Sequence, residues 1–192
     1  MARAQGITAH VVALGDPRQL TGDARHAYDD FIAAGGHCEP WSLAVLDSDV
    51  IVDALYGTGL TRAVSGEAAA MIEAVNDSGR PVVAVDLPSG LHADSGAVLG
   101  VATRAALTVT FIGRKLGLYL GAAPEHVGHL VFDGLQVPPE TYAAATPVAR
   151  LLGETDVHEA LPRRRRAAHK GDHGHVLVIG GGPGMPGAAT CR

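Results

Sequence analysis

The sequence has few cysteines, few aromatic residues, no excess of positive charge and no long apolar run. Its two cysteines, Cys38 and Cys191, form no motif, and neither suggests a disulfide framework. A net charge of -5 gives no reason to expect nucleic acid as a partner. No apolar run reaches the ~18 residues of a transmembrane helix, and the first residues lack the apolar core of a signal peptide. We therefore expect a cytoplasmic protein with no membrane partner.

The composition favours a mixed α/β core. Hydrophobic residues make up 47% of the 192 residues, whereas aromatic residues make up 4%. Because alanine and valine supply most of the apolar content, the pattern is typical of an α/β domain and not of a disordered chain. The length suits one domain, or one domain and a fragment.

Two apolar stretches end in an aspartate that turn-forming residues follow. Residues 81–86 end at Asp86 before Pro88-Ser89-Gly90, and residues 48–53 end at Asp53 before Gly57-Thr58-Gly59. A short apolar run closed by turn residues predicts a buried strand. Open α/β sheets bind ligands at the carboxyl ends of their strands. We therefore expect both aspartates at the ligand-binding edge.

If the two strands are neighbours, their carboxyl ends lie about 5 Å apart. Two carboxylates at that distance repel, so that one is protonated or a cation lies between them. This pattern predicts an anionic pocket for a cation or for acid/base chemistry. The alternative, that each aspartate only caps its following loop, stays open because aspartate is common at such junctions.

Alternating strand and helix patterns predict a doubly wound parallel sheet. Between the two aspartates, Ser65 is expected to cap a helix over 66–78 that Gly79 ends. Its apolar residues have helical spacing: Ala68, Met71, Ile72 and Val75. Near the start, a strand over 7–14 precedes a helix that Thr21 caps and Gly35-Gly36 ends. The apolar face predicted for that helix consists of Ala24, Ala27, Tyr28 and Phe31. Further strands are predicted over 105–111 and 128–132, the latter near a sheet edge.

The pattern predicts a first domain over 1–137, a linker over 138–168 and the start of a second domain over 169–192. Pro138-Pro139 breaks the α/β pattern, and we interpret Arg163–Arg166 as a solvated part of the linker. The last segment is a strand that enters a glycine-rich loop, where Gly182, Gly184 and Gly187 match a dinucleotide fingerprint only formally. The nearby histidines are interpreted as surface residues and not as metal ligands: His169, His173 and His175. Lys115 follows the 105–111 strand and either meets an anionic ligand or is solvated.

Four segments within residues 8–135 carry a family resemblance: Val52–Leu60, Ala84–Gly90, Thr108–Phe111 and Lys115–Leu118. Together they resemble the NAD(P)H-hydrate (NADHX/NADPHX) epimerase family, the YjeF N-terminal domain. The resemblance implies a Rossmann-like fold and epimerisation of the R and S forms of hydrated NAD(P)H. The tail from His169 resembles the start of a ribokinase-like, ADP- or ATP-dependent NAD(P)H-hydrate dehydratase domain, which is often fused behind the epimerase in bacteria.

The resemblance also implies roles for individual residues. Asp53 and Ser89 match positions that bind one potassium ion per subunit. Asp86 matches a substrate-contacting aspartate and is our choice for the acid/base residue, with Asp53 as the alternative. The implied substrate-binding loop consists of Gly57, Thr58, Gly59, Leu60, Thr61, Arg62 and Ala63. ADP or ATP would serve only the dehydratase part, and assembly into a homo-oligomer is left open.

The family also has an Asn-Asn-Gly-Gly-Asp-Gly loop on an earlier strand, which supplies part of the substrate site and another potassium ligand. This sequence has no such segment, and the residues before Ile7 are too few for that strand and its helix. We therefore expect a domain that lacks its N-terminal strand and helix, behind which the dehydratase part is truncated. Two alternatives stay open: a nucleotide-binding remnant without turnover, and a fragment of a ribokinase-like kinase or dehydratase.

Overall fold

The structure, a computed structural model, describes residues 5–143, 145–161, 167, 169–173, 175 and 177. The chain divides into two compact units, Met1–Thr146 and Pro147–Arg192. The division into domains and linker that the sequence suggests stays a prediction. The glycine-rich segment over 180–187 and Arg163–Arg166 lie outside the described residues.

In the described part of the first unit, strands and helices alternate except between residues 85 and 107, where two successive strands have no helix between them. The strands are β1 (Val11–Val12), β2 (Cys38–Glu39), β3 (Ile51–Asp53), β4 (Val82–Val85), β5 (Leu107–Phe111) and β6 (His129–Asp133). The helices are α1 (Gly22–Ala33), α2 (Gly66–Asp77), α3 (Ala123–His126) and α4 (Pro139–Tyr142). Four strands form a parallel sheet in the order β3-β4-β5-β6, which confirms the parallel α/β fold and the edge position of the last strand.

The first two strands form a separate parallel sheet, so the described strands do not form the single sheet that the sequence suggests. The strand predicted over 7–14 is reduced to two residues in β1. A cavity of about 880 Å³ lies between residues 7–12 and the segment 49–55 around β3. Because this space separates β1 from β3, no backbone ladder joins the two sheets.

Helix α2 is the crossover between β3 and β4 that the sequence predicts. It begins after Ser65, and the residue two positions after its end, Gly79, has a φ of +68° as expected for a helix C-terminus. The four predicted apolar residues, Ala68, Met71, Ile72 and Val75, are all buried. Ser65 occupies the N-cap position, but its side chain makes no capping hydrogen bond, so its predicted capping role is wrong.

Helix α1 forms where predicted, but its predicted packing is wrong. No residue of α1 is buried in the described structure; Ala24 and Ala27 are exposed. Thr21 is at the N-cap position without a side-chain capping bond. Helical periodicity therefore predicted the helix correctly. No described element, however, packs closely enough to bury its apolar face.

An apolar cluster includes residues of the segment that directly follows β4. It consists of Leu87, Leu91, Leu118, Ala123 and Val127, all buried. Asn76 on α2 joins the loop before β5, because its amide donates to the Ala102 carbonyl at 3.0 Å and accepts from the Arg104 N–H at 2.8 Å. The segment 87–104 is therefore fixed near its start by the apolar cluster and near its end by Asn76.

In the second unit the structure describes the helix α5 (Glu154–Ala160) and a short 3₁₀ turn, Lys170–His173. Asp156 is held by Arg150 and by the Gly153 N–H at 2.7 Å, and both contacts lower its pKa, the Arg150 hydrogen bond most. Of the helices in the described parts of both units, none is long and apolar enough to cross a membrane.

Candidate active site

Three polar residues that the sequence analysis predicted for the site lie at the carboxyl edge of strands β3 and β4: Asp53, Ser89 and Asp86. Asp53 is the last residue of β3 and is 5% exposed. Ser89, fully buried, lies in the turn after β4. Asp86 directly follows β4. Since β3, β4 and β5 run parallel, their carboxyl ends lie at one edge, as the sequence predicts.

Asp53 and Ser89 are in direct contact. The Ser89 hydroxyl donates to Asp53 Oδ1 at 2.6 Å, and the Ser89 N–H donates to Asp53 Oδ2 at 2.8 Å. Both oxygens of a buried carboxylate are thereby satisfied by one residue 36 positions later in the chain. This pair joins the loop after β3 to the turn after β4.

The glycine-containing loop 57–63 begins at this pair. The N–H of Tyr56 donates to Ser89 Oγ at 2.9 Å, and at the far end the N–H of Val64 donates to the Leu99 carbonyl at 2.9 Å. Between these anchors, the residues are exposed except for Leu60, and a side chain added at Gly57 or Gly59 would meet no atom within 4 Å. The loop therefore has fixed ends and an open middle, which a ligand can approach.

Replacing Ser89 with alanine should destabilise the fold by about 1–3 kcal/mol, because the Tyr56 N–H loses its partner and Oδ1 of buried Asp53 keeps only the longer contact from the Leu55 N–H, at 3.3 Å. Chemical denaturation would measure the loss. Ser95→Ala is the matched control, since Ser95 is exposed and should change stability by less than about 0.5 kcal/mol. Equal unfolding midpoints for the two variants would show that the Ser89 contacts contribute nothing.

Asp86 has a different set of partners, on the β5 side. Its Oδ1 accepts hydrogen bonds from the Thr110 hydroxyl and the Phe111 N–H, each at 3.2 Å, and pairs with the Lys115 ammonium. Asp86 also has a φ of +73°. Such a backbone conformation is uncommon for a residue other than glycine, although aspartate adopts it more readily than most, and it clusters at functional sites.

The expectation that Asp53 and Asp86 lie side by side, about 5 Å apart, is therefore wrong. In the β3-β4 ladder Asp53 lies opposite Ala84, so Asp86 is two residues further along. That offset separates the two Cα positions by roughly 8 Å, not 5 Å. Asp86 instead pairs with the Lys115 ammonium, and both oxygens of Asp53 accept hydrogen bonds from Ser89. Lys115 is mostly buried and pairs with Asp86, so the interpretation of Lys115 as a solvated loop lysine is wrong.

Thr110 is a site residue that the sequence analysis did not identify. Its side chain is fully buried, and its hydroxyl links Asp86 to Lys115. The signal was present in β5, where Thr108 and Thr110 alternate with apolar residues. Thr108 has a structural role, because its hydroxyl donates to the Val127 carbonyl at 2.7 Å.

The oxygens near Ser89 fit a potassium ion by their chemistry. The carboxylate of Asp53, the hydroxyl of Ser89 and the carbonyl of Tyr56 are oxygen ligands of the kind that hard cations take, and the latter two lie 3.4 Å apart. No group of three or more His, Cys, Asp or Glu side chains in the described structure has the arrangement of a metal site.

This fold and this edge define a parallel α/β domain of the YjeF type. Residues 1–117 match the family described as YjeF-related protein N-terminus, and the chain belongs to this family. The family resemblance inferred from the four sequence motifs is thereby confirmed. The start of a dehydratase domain stays a prediction.

The chain is similar to three bacterial proteins named bifunctional NAD(P)H-hydrate repair enzyme Nnr. The Vibrio cholerae protein is 41% identical over 189 residues, which cover 98% of this chain and 38% of that protein. The Coxiella burnetii protein is 42% identical (98% and 39% covered), and the Escherichia coli protein is 38% identical (98% and 36% covered). The chain therefore spans less than two fifths of the length of these relatives.

A solved structure confirms the fold. The crystal structure of yeast ynu0, YNL200c, matches with a TM-score of 0.54 at 16% identity, and the match covers 69% of this chain and 58% of the yeast chain. At this identity the likeness extends to the fold alone.

Proposed function

We propose that this chain carries the epimerase site of NAD(P)H-hydrate repair, with hydrated NAD(P)H as its substrate. The observation that carries the proposal is Asp86, a carboxylate at the ligand-binding edge with one fixed oxygen and one open oxygen. The family match and the names of the bacterial relatives supply the substrate class. A location in the cytoplasm belongs to the same proposal.

The open oxygen is Oδ2 of Asp86. In the described structure, all the donors to this carboxylate bind Oδ1. Among the described residues, every buried side-chain oxygen or nitrogen has a hydrogen-bond partner. Because Oδ2 receives no hydrogen bond and the Asp86 side chain is 25% exposed, Oδ2 is the oxygen that solvent reaches. Oδ2 is therefore the atom that can exchange a proton with a bound ligand.

The reaction inverts C6 of the hydrated nicotinamide ring, which carries a hydroxyl beside ring nitrogen N1. Asp86 Oδ2 gives a proton to the hydroxyl oxygen as the C–O bond breaks, and water leaves while the N1 lone pair stabilises the ring cation. Water then adds to the opposite face of C6 and returns a proton to Oδ2. One group acting in both directions suits general acid–base catalysis.

The loop 57–63 would bind the rest of the substrate, with its two open glycines allowing close approach of a ligand to the backbone. Asp53, Ser89 and the Tyr56 carbonyl would hold a potassium ion, whose charge would order this loop. Because Ser89 contacts both Asp53 and Tyr56, these residues would couple ion binding to the position of the loop.

Potassium should raise the melting temperature relative to choline at equal ionic strength. A ligand that binds only the folded state at ~100 times its Kd stabilises it by about 2.7 kcal/mol, which corresponds to roughly 5–11 °C for a chain of this size. Differential scanning calorimetry would measure the shift. Ser89→Ala should reduce it and Ser95→Ala should not, whereas identical melts in the two salts would contradict the ion site.

Binding of the substrate is tested by NMR titration of the labelled chain with hydrated NADPH, with ATP as the competing ligand. We expect hydrated NADPH to shift amide resonances in residues 57–63 and 86–89. Shifts by ATP alone would favour a ribokinase-like fragment, and binding of hydrated NADPH without turnover would favour a nucleotide-binding remnant.

A further inference from the structure

The contacts of Lys115 set it apart from the other cations of the first unit. Its Nζ lies against three acceptors: Asp86 Oδ1, the Thr110 hydroxyl at 3.2 Å and the Phe111 carbonyl at 2.9 Å. An ammonium group has three N–H donors. All three are used by the protein itself, and the side chain is only 17% exposed. Lys115 therefore has no donor left for a substrate.

The acceptors of Lys115 form a closed network with Asp86. The Thr110 hydroxyl accepts from Lys115 and donates to Asp86 Oδ1, so the same carboxylate oxygen is reached by the ammonium directly and through the hydroxyl. The Phe111 N–H adds a third donor to Oδ1. Three donors on one oxygen leave the carboxylate a single orientation, with Oδ2 directed away from them.

We infer that Lys115 is a positioning residue that selects which oxygen of Asp86 carries the proton during catalysis. By holding the charge of the carboxylate on Oδ1, Lys115 and Thr110 direct protonation to Oδ2, the oxygen open to the ligand. A proton on Oδ1 would face the ammonium and two further donors. This inference rests on the proposed function for the reaction that it serves.

The strained backbone of Asp86 supports the same role. At a φ of +73° the residue is held in a conformation that the surrounding contacts must maintain. The Asp86 N–H donates to the Val109 carbonyl at 2.8 Å, so β5 holds the backbone of Asp86 as well as its side chain. Lys115, in the loop after β5, adds a third contact, because its ammonium pairs with the Asp86 carboxylate.

Lys115→Met tests the inference, because methionine keeps most of the side-chain volume and removes the ammonium. We expect kcat to fall about 10²-fold, the loss typical of misplacing a catalytic group by an ångström, while KM changes less than twofold. Arg114→Met is the matched control: it removes an exposed positive charge one residue away, which lies over the Phe132 ring. Arg114→Met should keep the wild-type rate.

A double variant separates positioning from substrate contact. If Lys115 acts only through Asp86, Asp86→Asn combined with Lys115→Met should be no slower than Asp86→Asn alone. A raised KM with unchanged kcat, or multiplied losses in the double variant, would show that Lys115 contacts the substrate and would overturn the inference.

A readout independent of activity uses the Phe111 amide, which donates to Asp86 Oδ1 at 3.2 Å. In ¹⁵N-labelled protein its proton resonance should move in Lys115→Met and stay in Arg114→Met. If the resonance moves in a chain without epimerase activity, the positioning role stands and the proposed function fails. A shift no larger than that in Arg114→Met would overturn the inference. Should Lys115→Met not fold, Lys115→Gln replaces it in all of these measurements.

Discussion

Replacing Asp86 with asparagine should lower the rate of epimerisation of hydrated NAD(P)H by about 10²–10⁴-fold, the usual cost of losing a general acid–base group. Asparagine has nearly the size of aspartate and cannot exchange a proton at neutral pH. It also tolerates the φ of +73° at this position, and its carbonyl can still accept from Phe111 and Thr110. The fold should therefore survive, with a loss of stability that reflects only the unpaired Lys115 ammonium.

The measurement is the conversion of the purified R hydrate to the S hydrate, followed by chiral separation, with the spontaneous rate subtracted. Circular dichroism at the assay temperature controls for folding. Asp53→Asn is the comparison that discriminates between the two carboxylates. Near-wild-type turnover in Asp86→Asn together with a large loss in Asp53→Asn would reverse the assignment and make Asp53 the base.

Replacing Gly90 with alanine should destabilise the first unit by roughly 3 kcal/mol or more, through left-handed backbone strain and overpacking. Gly90 has a φ of +93°, and a Cβ at this position would lie 1.9 Å from the Val101 carbonyl oxygen and 2.8 Å from the Ala102 Cα. Both neighbours are backbone atoms, so no side-chain rotation relieves the clash. Gly90 also accepts a hydrogen bond from the Leu99 N–H at 2.8 Å, which holds the two sides of this loop together.

Thermal unfolding would measure this effect as a decrease in Tm of roughly 6–12 °C for about 3 kcal/mol. Gly113→Ala is the matched control, because Gly113 has no positive φ and no atom within 4 Å of an added Cβ. If the two variants have the same Tm, the close approach of Gly90 to the Val101 backbone does not contribute to stability. Because Ser89 directly precedes Gly90, the same variant should also weaken the potassium effect.

The sequence predicted the elements that depend on local pattern. The periodicity of Ala68, Met71, Ile72 and Val75 identified α2 and its buried face, since an amphipathic helix between two parallel strands has only the sheet side to pack against. The apolar runs before Asp53 and Asp86 identified two adjacent parallel strands. These features follow from spacing along the chain alone.

Features that depend on register and tertiary contact could not be read from spacing. The two-residue offset between Asp53 and Asp86 follows from the β3-β4 register, which neither strand specifies by itself. The pairing of Asp86 with Lys115 needs a positive φ at Asp86 and a loop that folds back over β5. Thr110 resembled an ordinary β-branched strand residue until its hydroxyl partners were known.

Helix α1 is a second case in which a pattern along the chain does not predict the tertiary contacts. Its sequence has an apolar spacing, yet none of its residues is buried in the described structure, because periodicity predicts a face but not a partner for it. Only its C-terminal end could be understood from local chemistry. There Gly36 leaves room for the ring of Phe31, since a Cβ on Gly36 would lie 2.3 Å from that ring.

The central claim is that the edge formed by Asp53, Ser89 and Asp86 interconverts the epimers of hydrated NAD(P)H. Its most direct test is a time course of the 192-residue chain, in potassium buffer, with a single purified epimer and chiral separation of the products. The account predicts that the chain brings the two epimers to equilibrium faster than the buffer does, and that Asp86→Asn abolishes the difference. A chain that folds and binds the hydrate, but converts it at the spontaneous rate, would contradict the account.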